Sequence, residues 1–370
     1  MKKQLHKIHG WTGIILMIPF LIVCLTGSIV VFKTELDAWL MPELATVDAN
    51  GRERMPFDVL TDRINHQLPD YEIGSWEIFP AGYSEADRIF VIKEGTDEWH
   101  KAHLNPYTGE LLSQPTESGH YLTDWLVELH YTLLLNDIDG LEEQLGVIIS
   151  FVLSIFLVFM GISGLVIYRR FWARLFTLRW DQRLLVVFSD LHKMGGTLAS
   201  PILLVIGITG GYYSGLIYYE EWKEHSAGEQ HHIMQERLYA DSVNIDALVE
   251  NSRDYIDGFN PTYLLFPYEP EFPFTVFGRA PTANPLLSNY GSVVNFDAQT
   301  GEYLSTYNLN EQGVLAKTLD STRRLHFGTF AGLTTKIIWC VVGLVPLLLA
   351  VTGGYLWWQR RSKRARKSRS

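Results

Sequence analysis

Residues 5–32 read LHKIHGWTGIILMIPFLIVCLTGSIVVF, and the fold turns on this stretch. Trp11–Phe32 is free of charge over a length sufficient to cross a hydrocarbon core, which needs about 20 predominantly apolar residues. The start, Met1-Lys2-Lys3, is shared with secretory signals. A signal core, however, is shorter and ends in an A-x-A-like site that this run lacks, so it reads as a retained anchor. Gly146–Tyr168, Gly195–Tyr219 and Gly332–Trp358 are runs of the same kind, with Lys336 as their one charge. The expected fold class is therefore an α-helical membrane protein with a four-helix transmembrane bundle.

Charge gives the orientation. Lys2, Lys3 and Lys7 precede the first span, Arg169, Arg170, Arg174, Arg179, Arg183 and Lys193 crowd the connection 169–194, and the tail 359–370 is strongly basic. The only acids among these segments are Asp181 and Asp190, while the rest of the 41 acids fall in 34–145 and 220–331. Basic short loops stay on the cytoplasmic side. That rule predicts spans at 1–33, 146–168, 195–219 and 332–358, both termini and the 169–194 loop cytoplasmic, and two acidic domains outside. It also accounts for the basic tail, so the expected partner is the lipid bilayer and not nucleic acid. Cys24 and Cys340 sit inside apolar runs, which supports neither a disulfide framework nor a Cys-based metal site.

The opening stretch recurs. Leu5-His6-Lys7-Ile8-His9 runs on to Gly13 and Thr26-Gly27, and Leu191-His192-Lys193 runs on to Gly196 and Thr209-Gly210. Counted from His9 and His192, both read H-x3-G and reach Thr-Gly after 17 residues. Each copy is followed by a similar turn, Asn105-Pro106-Tyr107-Thr108-Gly109-Glu110 and Asp297-Ala298-Gln299-Thr300-Gly301-Glu302, preceded by β-rich runs at 88–92 and 274–277. With one amphipathic helix near 57–67 and another near 244–252, each long connection predicts a small α+β domain with an antiparallel sheet. Each half closes with a Leu-His pair, Leu129-His130 and Leu325-His326, ahead of its second span.

Topology then sorts the histidines. His9 and His192 begin spans that run outward, so they share a depth near the cytoplasmic face; His130 and His326 precede spans that run inward and share a depth near the outer face. An imidazole is costly in hydrocarbon and is paired when found there. A lone boundary histidine more often caps a helix or meets a headgroup, but four placed by a repeat make two facing pairs. Two nitrogens without Cys or carboxylate do not close a zinc site, which needs four ligands. They do suit haem iron, for which the macrocycle supplies the other donors.

The expected cofactors are thus two b-type haems, with His9 and His192 as axial iron ligands of one and His130 and His326 of the other. His6, on the same helix face as His9, is the alternative to it. Gly13 and Gly196, one turn beyond their histidines, remove side chains where a flat macrocycle packs, and Gly328 is placed to do so beside His326. His130 has no such glycine. Lys7, Lys193, Arg323 and Arg324 are candidate partners of the anionic propionates. His100 with His103, and His231 with His232, read as solvated surface histidines rather than as a metal site.

The opening His9-Gly10-Trp11-Thr12-Gly13, the Thr26-Gly27 and Thr352-Gly353 pairs, the two Thr-Gly-Glu turns and Leu325-His326-Phe327-Gly328 resemble, in this order, the PepSY-associated transmembrane family of PiuB-like, iron-regulated membrane proteins. The resemblance covers nearly the whole chain. It implies PepSY-like periplasmic domains at 34–145 and 220–331 and a place in the bacterial inner membrane. It also implies similarity to dihaem ferric-siderophore reductases, haem-dependent oxidoreductases that pass electrons from a cytoplasmic or quinol donor to a periplasmic ferric-siderophore or other acceptor. Some relatives carry a fused flavin reductase domain. None follows Trp358 here, so flavin or nicotinamide is expected only on a separate donor.

Two other classes stay open. A PepSY-type membrane-anchored regulator, protease inhibitor or peptide-binding protein needs one anchor and leaves four matched histidines unexplained. An iron or siderophore transporter component fits an internal repeat, but the spans hold no acids and read as unbroken.

Overall fold

A computed structural model describes residues 2–79, 84–136, 138, 144–168, 175–227 and 232–367, so that Arg169, Arg170, Arg174 and His231 lie outside the described residues. In chain order the elements begin α1 (Lys2–Ile15), α2 (Met17–Val30), α3 (Lys33–Leu40), α4 (Pro42–Ala45), α5 (Phe57–Gln67), β1 (Tyr71–Glu77), β2 (Asp87–Lys93) and β3 (Trp99–Leu104). They continue α6 (Leu122–Thr132), α7 (Leu145–Tyr168), α8 (Leu184–Ala227), α9 (Ile245–Tyr255), β4 (Asn260–Leu265), β5 (Phe274–Arg279), β6 (Ser292–Phe296), β7 (Tyr303–Tyr307), α10 (Val314–Phe327) and α11 (Gly332–Lys367). The chain divides into a helical unit, Met1–Phe32 with Trp125–Ala227 and Arg324–Ser370, and a sheet unit, Lys33–Asp124 with Gly228–Arg323.

In the helical unit the apolar runs become α7, α8 and α11, each long and apolar enough to cross a membrane. The first run passes that test only as the pair α1 and α2, bent by 69°. This corrects the reading of an unbroken first span. Pro19 has no N–H to give the carbonyl of Ile15, and Leu16 leaves helical geometry at φ −94°, ψ 6°. Pro201 and Pro346 lie inside α8 and α11 without interrupting them. Because α8 starts at Leu184, His192 is two turns inside it rather than at its start, and α11 continues through the basic tail as far as Lys367.

Packing follows α7 on α8, α8 on α11 and α11 on α2, with α1 against α7 and α11. Small residues permit the approach. A Cβ on Gly207 would stand 3.3 Å from the carbonyl oxygen of Ser154, and one on Gly343 would strike the Ser28 hydroxyl.

The sheet unit differs from the two separate α+β domains expected. All seven strands join one antiparallel sheet in the order β3-β2-β1-β4-β5-β6-β7, and the halves meet where Ser75, Trp76 and Glu77 of β1 pair with Leu265, Leu264 and Tyr263 of β4. Alone, each half would expose β1 or β4 as an edge with unpaired backbone groups. The core is shared as well: Leu60 and Ile64 of α5, Leu248 and Val249 of α9, and Trp76, Val91, Leu264 and Val294 of the strands form one buried cluster.

Duplication is also visible in the helix caps. The Asp58 carboxylate accepts from the N–H groups of Ile245 and Asp246 at 2.8 and 3.3 Å, and the Asp246 carboxylate accepts from those of Phe57 and Asp58 at 2.7 and 3.0 Å. Both Thr-Gly-Glu turns occur, closed by Gly109 at φ 70° and Gly301 at φ 71°, but they follow β3 and β6 directly. His100 and His103 are buried on β3, not solvated. Their odd spacing sends them to opposite faces of the strand, so they do not share a site.

Candidate functional site

Four helices far apart in sequence each deliver one histidine to the helical unit: α1 His9, α6 His130, α8 His192 and α10 His326. The structure brings them together in two pairs. The rings of His9 and His192 have centroids 6.5 Å apart and planes at 86°, and those of His130 and His326 have centroids 6.3 Å apart and planes at 49°. Two imidazole rings that would hold one metal ion between them, each with a nitrogen about 2 Å from it and a centroid roughly 1 Å behind, would stand about 6 Å apart. Both pairs have that spacing.

Every ring is held through Nδ1. His9 Nδ1 bonds Ser163 Oγ at 2.7 Å, His192 Nδ1 bonds Thr352 Oγ1 at 3.0 Å and His326 Nδ1 bonds Thr209 Oγ1 at 3.0 Å. His130 Nδ1 meets Thr26 Oγ1 at 3.2 Å and the Val23 carbonyl at 2.9 Å. In each case the hydroxyl residue is followed by glycine, and that glycine faces the ring. A Cβ would lie 2.6 Å from His130 Cε1 if placed on Gly27, 3.0 Å from His192 Cε1 on Gly353, 3.1 Å from His326 Cε1 on Gly210 and 3.7 Å from His9 Cε1 on Gly164. His130 therefore does have a glycine, contributed by α2 rather than by its own helix. Tyr213 adds an edge-on contact to His326, with centroids 5.7 Å apart.

Sequence reasoning found three of these dipeptides and missed the role of Ser163-Gly164. Its signal was obscured by spacing: Gly164 stands five residues before Arg169, whereas Gly353 stands seven before Arg360, so alignment on the Arg-Arg pairs separates the two.

A cavity of about 690 Å³ reaches the His9–His192 pair, within the roughly 300–1,000 Å³ usual for cofactor sites. Gly13 and Gly196 are in its wall, as are Lys7 and Lys193. Arg360 and Arg361, read from the sequence only as part of the basic cytoplasmic tail, line it too, and no carboxylate does among the described residues. An apolar cavity with cations and no acids suits a flat amphiphile that carries carboxylates. The donor set and the cavity fit a haem on this evidence.

His6 lies at the same cavity, but its Nε2 is bonded to the Arg360 guanidinium. Arginine has only donors, so His6 Nε2 is the acceptor and its lone pair is committed. The other expected residues take different places. Gly328, at φ 65°, ends α10, and a Cβ there would be 2.7 Å from Trp339 Cγ, so its work is a helix stop packed on Trp339. Arg323 lies over the Tyr290 ring of the sheet unit, 4.7 Å from its centroid. Arg324 is in the last turn of α10.

Compared with known proteins, residues 6–360 match the model of a family described as PepSY-associated TM region. No curated protein matches the chain.

Proposed function

The chain belongs to the PepSY-associated TM family, and from that premise we propose that this membrane protein binds two b-type haems and carries electrons from the cytoplasmic to the periplasmic side. In this reading His9 with His192 would hold one haem and His130 with His326 the other. Bound there, each haem supplies a reversible one-electron centre. The observation that carries the reading is the spacing of the two histidine pairs, 6.5 and 6.3 Å between centroids.

The chain's own residues do the rest. Lys7, Lys193, Arg360 and Arg361 supply positive charge for propionates at the His9–His192 cavity. His192 and Thr209, the residue that holds His326, are 17 positions apart on the single helix α8, about 25 Å along its axis. That length compares with a hydrocarbon core of about 30 Å, so the two pairs suit opposite boundaries, and the charge bias of the loops supports the cytoplasmic one for His9 and His192.

The proposed acceptor is a ferric siderophore. One electron converts its ferric ion to ferrous, which hard oxygen ligands hold less well, and iron is released. The electron donor is a separate cytoplasmic molecule or a quinol. The test is full-length protein in sealed vesicles with reductant enclosed, and a ferric chelate with a ferrous-specific dye outside. Dye coloration by wild type and its loss in His192→Ala support the proposal; an undiminished rate after all four histidines become alanine refutes it.

Inward transport of iron or chelate is the second reading, favoured by the 69° bend between α1 and α2, since broken helices mark many transporters. Accumulation of labelled chelate in vesicles without reductant would establish it.

A further inference from the structure

Four Ser/Thr-Gly dipeptides on four spans each meet one of the four paired histidines, and this coincidence has a chemical content. We infer that Thr26-Gly27, Ser163-Gly164, Thr209-Gly210 and Thr352-Gly353 are positioning elements that fix each imidazole as the Nδ1–H tautomer and turn its Nε2 lone pair toward a haem iron. The inference rests on the dihaem reading and adds to it the residues that orient the ligands.

The protons decide the direction of each bond. Thr26, Thr209 and Thr352 donate their hydroxyl hydrogens to the carbonyls of Ile22, Val205 and Leu348, four residues back, at 2.8, 2.8 and 2.7 Å, and Ser163 donates to the Met160 carbonyl at 3.3 Å. A hydroxyl has one hydrogen. With it committed to a carbonyl at 2.7–2.8 Å, each threonine oxygen can only accept from the ring, so Nδ1 carries a proton in His130, His192 and His326; at His9, where Ser163 Oγ is 2.7 Å from Nδ1 and 3.3 Å from the Met160 carbonyl, the same tautomer is part of the inference. At His130 the conclusion is reached twice, because the Val23 carbonyl on the same Nδ1 has no hydrogen to give. A neutral imidazole protonated at Nδ1 has its lone pair on Nε2. None of the four Nε2 atoms takes a hydrogen bond among the described residues. Metal-bound histidines are oriented in this way, by a partner on the nitrogen that does not ligate.

Glycine completes the cradle by letting the ring lie against the helix backbone. Any larger residue at position 27 would place a Cβ 2.6 Å from His130 Cε1. Threonine and glycine also occur in helix packing for its own sake, but packing alone does not place all four dipeptides on all four rings. The wiring is crosswise within each half: the first span holds the histidine before the second span, and the second span holds the histidine of the first. Each half thus orients two histidines, and each pair takes one from each half.

A hydroxyl accepting from Nδ1–H makes an imidazole a better donor to the metal and favours the ferric state, so removing the acceptor raises that centre's potential. The experiment is redox titration of full-length protein in detergent, followed by absorption, for wild type, Thr209→Val and Thr352→Val, with the Thr→Ser replacements as rescue. The expected result is an upward shift of one midpoint in Thr209→Val and of the other in Thr352→Val, with serine restoring both. Loss of one haem in a valine variant that serine restores carries the same meaning. Two bound haems with unchanged midpoints in both valine variants, or a loss that serine does not restore, overturn the inference alone. Wild-type protein without haem from haem-replete cells overturns it together with the dihaem reading.

Discussion

His9 and His192 face one another with ring planes at 86°, close to perpendicular, whereas the His130 and His326 planes are at 49°. If each pair held a ferric haem, the nearly perpendicular rings of His9 and His192 would give it a strongly anisotropic low-spin resonance, and the smaller angle between His130 and His326 a less anisotropic one. Electron paramagnetic resonance of the oxidised protein is expected to show two low-spin signals. The more anisotropic one disappears in His192→Ala and the other in His326→Ala. A single signal that both variants diminish equally contradicts the assignment.

The Arg360 guanidinium on His6 Nε2 separates the two histidines of the opening stretch. His6→Ala is therefore expected to keep both haems, and His9→Ala to lose one. Haem content of the two purified variants checks this, and the reverse pattern would make His6 the ligand.

Reciprocal capping by Asp58 and Asp246 ties the two halves of the sheet unit. Asp58→Ala strands the N–H groups of Ile245 and Asp246 and is expected to cost about 1–2 kcal/mol. Since each carboxylate caps the other's helix, the Asp58→Ala/Asp246→Ala pair should deviate from additivity. Denaturant unfolding of the single and double variants measures the coupling, and strict additivity would show the caps to be independent.

His103 is expected to give the sheet unit an acid sensitivity. Burial, and next the charges of Lys101 and Arg88, push its pKa down to about 4. Between that value and its unfolded value near 6.5, the unfolded chain binds more protons. The neutral ring's contribution is thus complete above the unfolded pKa and is lost as pH falls toward 4, at up to about 1.4 kcal/mol per pH unit. The fall in Tm from pH 7 to pH 5 should be steeper in wild type than in His103→Phe; equal slopes would remove His103 as the cause.

Much of this architecture could be read from residues 5–32 and their echo at 191–210, because an apolar run of that length has one stable environment and a repeated histidine spacing puts the two halves in register. The Leu16 bend was not legible, since Pro201 and Pro346 show that proline in a span does not by itself interrupt a helix. Fusion of the two sheets was hidden for a different reason: β1 and β4 carry the same alternation whether they end a sheet or join two, and only the shared core under Trp76 and Leu264 decides. The glycine beside His130 does not lie one turn along its own helix; the fold supplies Gly27 from α2. Contacts between helices leave no local period in a sequence.

Whether the two histidine pairs hold haem is tested most directly by the absorption spectrum of the purified full-length chain, oxidised and reduced. The expected result is red protein with low-spin Soret and α bands at two haems per chain, falling to one in His326→Ala and to one in His192→Ala. Colourless protein from haem-replete cells, or haem content that none of the four histidine replacements alters, would contradict it.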